Sequence, residues 1–285
     1  MAAPGFFDQT WQIARKEIKE HSRSRRFLLF LLLFGGANLI ATVLMSSGVL
    51  GLNYPPSDML AIDYLIASTF IWIIPIAFAY DAISRERANR SLDIVLSKPV
   101  TRIELVLGKF LGALLILVII IGSVHLAGFV ISIGFSGSVP NPSMFGAFGS
   151  YLGVIFLGMI CYLSLAILFS VIARSSSTSL IVTIILSMFV LSIPAMISMI
   201  YWMMNVGEEL SSATAPWWLK VAYAVNPGNC MAIVYEMLPP SWVIDSLTSS
   251  GPMVLNIWQS IFAMFIFVAV CLSLSLAIFQ HKDLQ

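Results

Sequence analysis

Charge is scarce in this sequence. Only 10% of its 285 residues are Asp, Glu, Lys or Arg and 59% are hydrophobic, whereas a soluble domain carries about 25% charged residues. That excludes an ordinary water-soluble globule and leaves an all-α integral membrane protein as the expected class. Cysteine is scarcer still: Cys161, Cys230 and Cys271 stand far apart, which excludes a disulfide framework and a C-x-x-C metal pair. There is no H-E-x-x-H, no G-x-S-x-G and no paired acidic motif within an apolar run, so no hydrolytic machinery is visible. A phosphate-binding loop is missing too, because Gly108-Lys109 is followed by Phe110 and has no glycine at the required position upstream. The chain is therefore expected to be no enzyme and to hold no cofactor or metal of its own.

The apolar runs also lack charges near their middles. Asp63 lies close to the outer end of the second run and Asp81 at its inner end. Ion-coupled transporters need ionisable groups at depth, so that class is disfavoured. His125 stands alone in its run and reads as a packed or pore-lining polar residue rather than a proton relay. Met196, Met199 and Met203 share one helix face at i, i+3 and i+7. Thioethers could favour Cu(I), but an adaptable packing surface is the preferred reading.

What the sequence does have is six apolar runs, at about 27–50, 59–80, 105–134, 145–173, 180–204 and 255–279. Each reaches the ~20 residues a helix needs to cross ~30 Å of hydrocarbon. Placing both termini in the cytosol puts all of the basic residues except Lys220 on the inner side, as the positive-inside rule requires. The reading is a single multi-pass domain in the plasma membrane. Ahead of the first run, 6–26 interleaves Trp11, Ile13, Ala14 and Ile18 with Arg15, Lys16, Glu17 and further charges. This is the pattern of a basic amphipathic helix lying in the membrane interface, and its acidic residues argue against a cleaved leader. The long outer segment 205–254 contains Trp217, Trp218 and Tyr223, followed by a second amphipathic piece from Met231, so short helices at the outer leaflet are expected there.

The one long polar stretch is 81–104, between the second and third runs, and it is the candidate coupling segment. From Ile83 to Leu96 apolar residues recur with helical spacing among Arg85, Glu86, Arg87 and Asp93. Ser97-Lys98-Pro99 stops that helix, and Thr101 with Glu104 forms a capping box for the next one. Ser84-Arg85-Glu86-Arg87, Arg90-Ser91-Leu92-Asp93, Lys98-Pro99-Val100, Arg102 and Leu107-Gly108-Lys109-Phe110 together resemble the inner loop of ABC-2-type permeases, the type V ABC exporters. Within that family they are most like the branch containing the permease of the copper-processing exporter of nitrous-oxide reductase maturation. Ile13-Ala14-Arg15-Lys16-Glu17 and Val225-Asn226-Pro227 carry the same likeness, whereas Asn89-Arg90 departs from the family's usual acidic or small residue and glycine.

The resemblance implies a permease that pairs with a second copy and binds two separate ATPase subunits, which supply the ATP and Mg. It also implies that Arg85, Glu86, Arg87 and Asp93 form ion pairs with the ATPase and that Leu92, Val95 and Leu96 anchor the contact. Pro99, Arg102 and Lys109 would lie where motion enters the third run. The expected cargo is amphipathic: lipid-like, a peptide or a drug. The alternatives are a mechanical permease that drives an extracytoplasmic partner, and a non-transporting membrane anchor. No nucleic-acid partner is expected.

Overall fold

The computed structural model describes residues 5–49, 56–89, 100–137, 142–204, 215–236 and 254–281. Every regular element among them is helical, and no strand occurs among the described residues. Helix α1 is Phe6–Ser22. Then α2 (Arg25–Phe30), a π-helical turn (Leu31–Gly35) and α3 (Gly36–Ser46) run on as one apolar stretch. Next come α4 (Pro56–Phe70), α5 (Ile73–Ala79) and the short α6 (Ser84–Ala88). The long helices α7 (Arg102–Ser136), α8 (Pro142–Ile172) and α9 (Ser176–Met204) follow, then α10 (Trp217–Ala224), α11 (Pro227–Glu236) and α12 (Ile257–His281).

Among the described residues five helical stretches are long and apolar enough to cross a membrane: Arg25–Ser46, Ile62–Ala88, Arg102–Phe135, Pro142–Ile172 and Ile257–His281. They coincide with five of the six apolar runs. The remaining run, 180–204, falls in α9, an unbroken helix of 29 residues whose described apolar part is the shorter Ser176–Phe189. Helix α8 is the centre of the bundle. Of its most apolar window 72% is buried, against 22% for Arg25–Ser46 and 17% for Ile257–His281, so the latter two stand at the periphery.

Local chemistry sets the breaks. Pro75 has no N–H for the carbonyl of Ile71, and the helix is interrupted at Ile71–Trp72, between α4 and α5. The Thr101 side chain accepts from the Glu104 backbone N–H while the Glu104 carboxylate accepts from Thr101 N at 2.6 Å. This capping box starts α7 at Arg102, three residues before the apolar run. Asn226 Oδ1 accepts from Gly228 N at 2.8 Å, which starts α11 at Pro227, ahead of the expected Met231. The helix expected from Ile83 to Leu96 is described only as Ser84–Ala88. Leu92, Asp93, Val95, Leu96 and Pro99 lie outside the described residues.

Lipid offers apolar side chains no reason to leave it, so helices in a membrane associate through close packing and polar contacts. Here α1 crosses the start of α7 at two glycines four residues apart. A Cβ at Gly108 would lie 2.6 Å from Ile13 Cβ, and one at Gly112 would lie 2.6 Å from Glu17 Cβ and 2.9 Å from the Ala14 carbonyl. No other residue permits so close an approach. Thr10, Ala14 and Glu17 are buried in that seam, whereas Phe7, Trp11, Arg15 and Lys16 are exposed. The amphipathic α1 thus spends one face on another helix and keeps an apolar and basic face for its surroundings.

Candidate functional site

Two polar centres lie near opposite ends of α7, one at Lys109 and one at Gly128, about 28 Å apart at the rise of an α-helix. The first gathers most of the charged residues singled out from the sequence. Lys109 is 3% exposed. Its Nζ lies 2.6 Å from Glu17 Oε1 on α1 and 2.9 Å from Glu86 Oε1 on α6. One buried ammonium therefore ties three helices together. His21 Nε2 stands 3.5 Å from the other oxygen of Glu17.

Around this triad, Arg85 pairs with Glu20 of α1 and reaches Asp81 at 4.0 Å. Arg26 grips Asp81 through two hydrogen bonds of 3.1 and 2.8 Å and donates to the Tyr80 hydroxyl at 2.9 Å. Such forked guanidinium–carboxylate contacts are the stronger class of ion pair.

Two more arginines cap helix ends. Arg87 donates to the carbonyls of Val171 and Ala173, both at 2.9 Å, at the end of α8. Arg102 does the same for Phe279 and Gln280 at 2.7 and 2.9 Å, at the end of α12. Each supplies a donor to carbonyls the helix cannot satisfy internally, and a cation to the negative end of its dipole. Ser170 Oγ accepts from the backbone N–H groups of Ile83 and Ser84 at 2.9 and 3.2 Å. The turn leading into α6 is thereby fastened to α8.

Arg85, Glu86, Arg87, Arg102 and Lys109 thus all have partners inside the chain. Sequence reading placed them on one polar stretch but could not see these partners, which lie 65 to 177 residues away in sequence for Glu20 and Phe279. The spacing Gly108-x-x-x-Gly112 is a sign of this close helix crossing that the sequence carries locally.

Glu17 is held charged. Burial alone would raise its pKa, but the hydrogen bond from His21 and the charge of Lys109 outweigh it and lower the pKa from 4.5 to about 2. A carboxylate depressed by folding contributes its full stability above its free value and loses it as pH falls through the folded value. Glu17→Gln should therefore lower the thermal midpoint of the purified protein at neutral pH. The gap from wild type should shrink as pH falls from about 4.5 to about 2, which a pH series of melting curves would measure.

The second centre sits beside Gly128. Asn38 Nδ2 donates to Asp63 Oδ1 at 3.2 Å and Thr42 Oγ1 lies 3.4 Å from the same atom. His125 is buried, with Nδ1 3.0 Å from the Tyr151 hydroxyl and its ring against Phe34. It is the packed polar residue the sequence suggested. Asp63 is 1% exposed; its position near an end of the second apolar run had suggested the boundary, yet helices α3, α7 and their neighbours enclose it. A third feature is an apolar groove of about 560 Å³ between α10 and α12, with Lys220 and Gln259 among otherwise apolar walls that include Phe262, Ile266 and Val270. Among the described residues no group of three His, Cys, Asp or Glu could hold a metal ion. Met196, Met199 and Met203 are exposed on α9.

A helical multi-pass membrane protein with a charged, cross-braced end defines the class. The particular family follows from comparison: residues 11–284 match the ABC-2 family transporter protein model, and the chain belongs to that family. Among curated proteins it is 32% identical over 176 residues to the probable ABC transporter permease protein NosY of Pseudomonas aeruginosa, a match covering 59% of this chain and 61% of that protein. It is 33% identical over 168 residues to the protein of the same description in Stutzerimonas stutzeri, covering 55% and 59% respectively. The matched part of the chain spans about three fifths of these relatives. The family and these relatives are those of transporter permeases.

Proposed function

We propose that this chain is the membrane half of an ATP-driven type V exporter, acting as a pair of permeases with two separate ATPase subunits seated at the charged end. On this reading both termini and 81–104 are cytosolic, and 205–254 lies outside. The observation that carries the reading is the Glu17–Lys109–Glu86 triad. It makes α1, α6 and the start of α7 one braced body, the kind of surface on which closure of a partner can bias a conformational equilibrium. The exposed faces of Arg15 and Lys16, together with Leu92, Asp93, Val95, Leu96 and Pro99 between α6 and α7, would meet the ATPase. Arg85, Glu86, Arg87, Arg102 and Lys109 would act behind that contact by holding the helices that receive it.

The groove between α10 and α12 supports an amphipathic cargo. It offers apolar walls along α12 from Phe262 to Cys271, a rise of about 14 Å, which is close to one leaflet's hydrocarbon depth. Lys220, the sole basic residue on the proposed outer side, would meet an anionic headgroup.

A second reading is mechanical transmission to an outer partner, and a specific path favours it. Arg87 fastens α6 to one end of α8. Farther along α8, Gly158 packs so closely on Met231 of α11 that a Cβ there would lie 2.5 Å from the sulfur. Displacement of α6 would then be carried along a stiff helix to its middle and passed to α11.

Co-expression with its partner ATPase separates these ideas. Copurification that is lost on Leu92→Asp supports the coupled permease, and no copurification refutes it. ATP-dependent loss of an anionic fluorescent lipid from the inner leaflet of proteoliposomes, reduced by Lys220→Glu, supports export. Crosslinking of 205–254 to an extracytoplasmic protein, without lipid movement, favours transmission.

A further inference from the structure

Among the described residues Asp63 is an acid without a cation. Among the described residues it takes part in no ion pair with Lys, Arg or His, and a buried charge left unpaired in a membrane protein is costly. Its neighbours from each packed element can be named. Helix α3 supplies Asn38 and Thr42, both fully buried. Tyr64 follows Asp63 on α4 and stacks on Tyr235 of α11 at 3.9 Å between ring centroids. Helix α7 supplies His125 and α8 supplies Tyr151, which bond to each other. None of these side chains carries a formal positive charge with His125 neutral.

A second anomaly lies beside the first. Asn38 gives its amide N–H to Asp63 Oδ1, yet its own Oδ1, buried with it, has no hydrogen-bond partner. That orphan oxygen and Asp63 Oδ2 face the same spot on α7. A Cβ placed on Gly128 would lie 3.0 Å from Asn38 Oδ1 and 3.7 Å from Asp63 Oδ2. An acid with no counter-charge among the described residues and an amide oxygen lacking a donor thus both border the same point beside Gly128, and one hydrogen atom shared between them would satisfy both.

We propose that Asp63 is a proton-binding site. Its carboxyl is neutral in this conformation and donates from Oδ2 to Asn38 Oδ1, while Asn38 Nδ2 donates back to Asp63 Oδ1. The two planar groups form a cyclic acid–amide pair that fastens α3 to α4 against the bare backbone of Gly128. The proton comes from water and returns to it as the only exchanged species. Loss of the proton leaves a carboxylate facing an amide oxygen in a dry site, so a conformation that wets Asp63 is the one that releases it. Acid therefore favours the closed packing and alkali the opened one, with a limit of about tenfold in that equilibrium per pH unit for one proton. Under the orientation proposed above, opening toward the outside is proton-linked. The proposal does not depend on an ATPase partner.

Infrared difference spectroscopy of the full chain in nanodiscs tests this. The wild-type protein should show the C=O stretch of a protonated carboxyl, shifted by deuteration and by ¹³C-aspartate labelling. The Asp63→Asn variant should lack it, and its melting temperature should lose the alkaline decline seen in wild type. If that variant does not fold, the labelled band decides in a chain with Asp58, Asp93, Asp245 and Asp283 changed to Asn, because Asp81 is paired with Arg26 and Asp8 is exposed. Absence of the band, its persistence in Asp63→Asn, or stabilisation by Na⁺ over K⁺ at equal ionic strength would overturn the proposal. The last result would mean that a metal cation occupies the place assigned here to the proton.

Discussion

Replacing Lys109 with alanine should destabilise the protein by about 3–5 kcal/mol, the usual cost of removing one member of a buried ion pair. The reason is what remains. Glu17, buried, and Glu86, half-buried, would be left facing each other around an empty space, neither with the ammonium it now contacts at 2.6 and 2.9 Å. The triad's net value to stability is far smaller than the cost of breaking it, because all three groups had to leave water to form it. Removing the charges together should thus be milder than removing one: Glu17→Gln, Lys109→Met, Glu86→Gln in one chain should recover most of the lost thermal midpoint. Recovery of the midpoint without recovery of ATPase binding would separate stability from coupling.

Gly112→Leu should detach α1 from α7. The first side-chain carbon alone would fall 2.6 Å from Glu17 Cβ and 2.9 Å from the carbonyl of Ala14, and backbone cannot move aside as a flexible side-chain tip can. Overpacking typically costs about 1–3 kcal/mol, and here the cheapest relief is for α1 to leave. Limited proteolysis should then cut within Phe6–Ser22, and Lys109 should lose one of its two carboxylates. Gly149→Ala is the control, since a Cβ there meets nothing within 4 Å. Alanine also favours helix over glycine by up to about 1 kcal/mol, so this variant should be neutral or slightly more stable.

Much of this architecture could be read from the chain. Apolar length located the long helices because backbone polar groups in hydrocarbon must be satisfied within a helix. The Thr101–Glu104 box was legible because it is local: both partners lie within four residues. Pairings between helices were not. Arg102 reaches Phe279, and Arg87 reaches Val171, and no periodicity within one segment encodes a partner in another. The same limit hid the polar centre at Gly128. Asn38 and Asp63 belong to different helices, and Asp63 read alone sat near the end of its apolar run. Only packing reveals that it is enclosed and that Asn38 turns an unsatisfied oxygen beside it.

The account rests on the charged end being the face a soluble ATPase grips. Cysteine labelling of the permease with and without its bound ATPase tests this most directly, using single probes at Lys16 on α1 and at Trp217 on α10, both exposed in the isolated chain. The expected result is protection at Lys16 on ATPase binding with Trp217 labelled as before. Protection at Trp217 with Lys16 left open would place the partner at the wrong end and contradict the account.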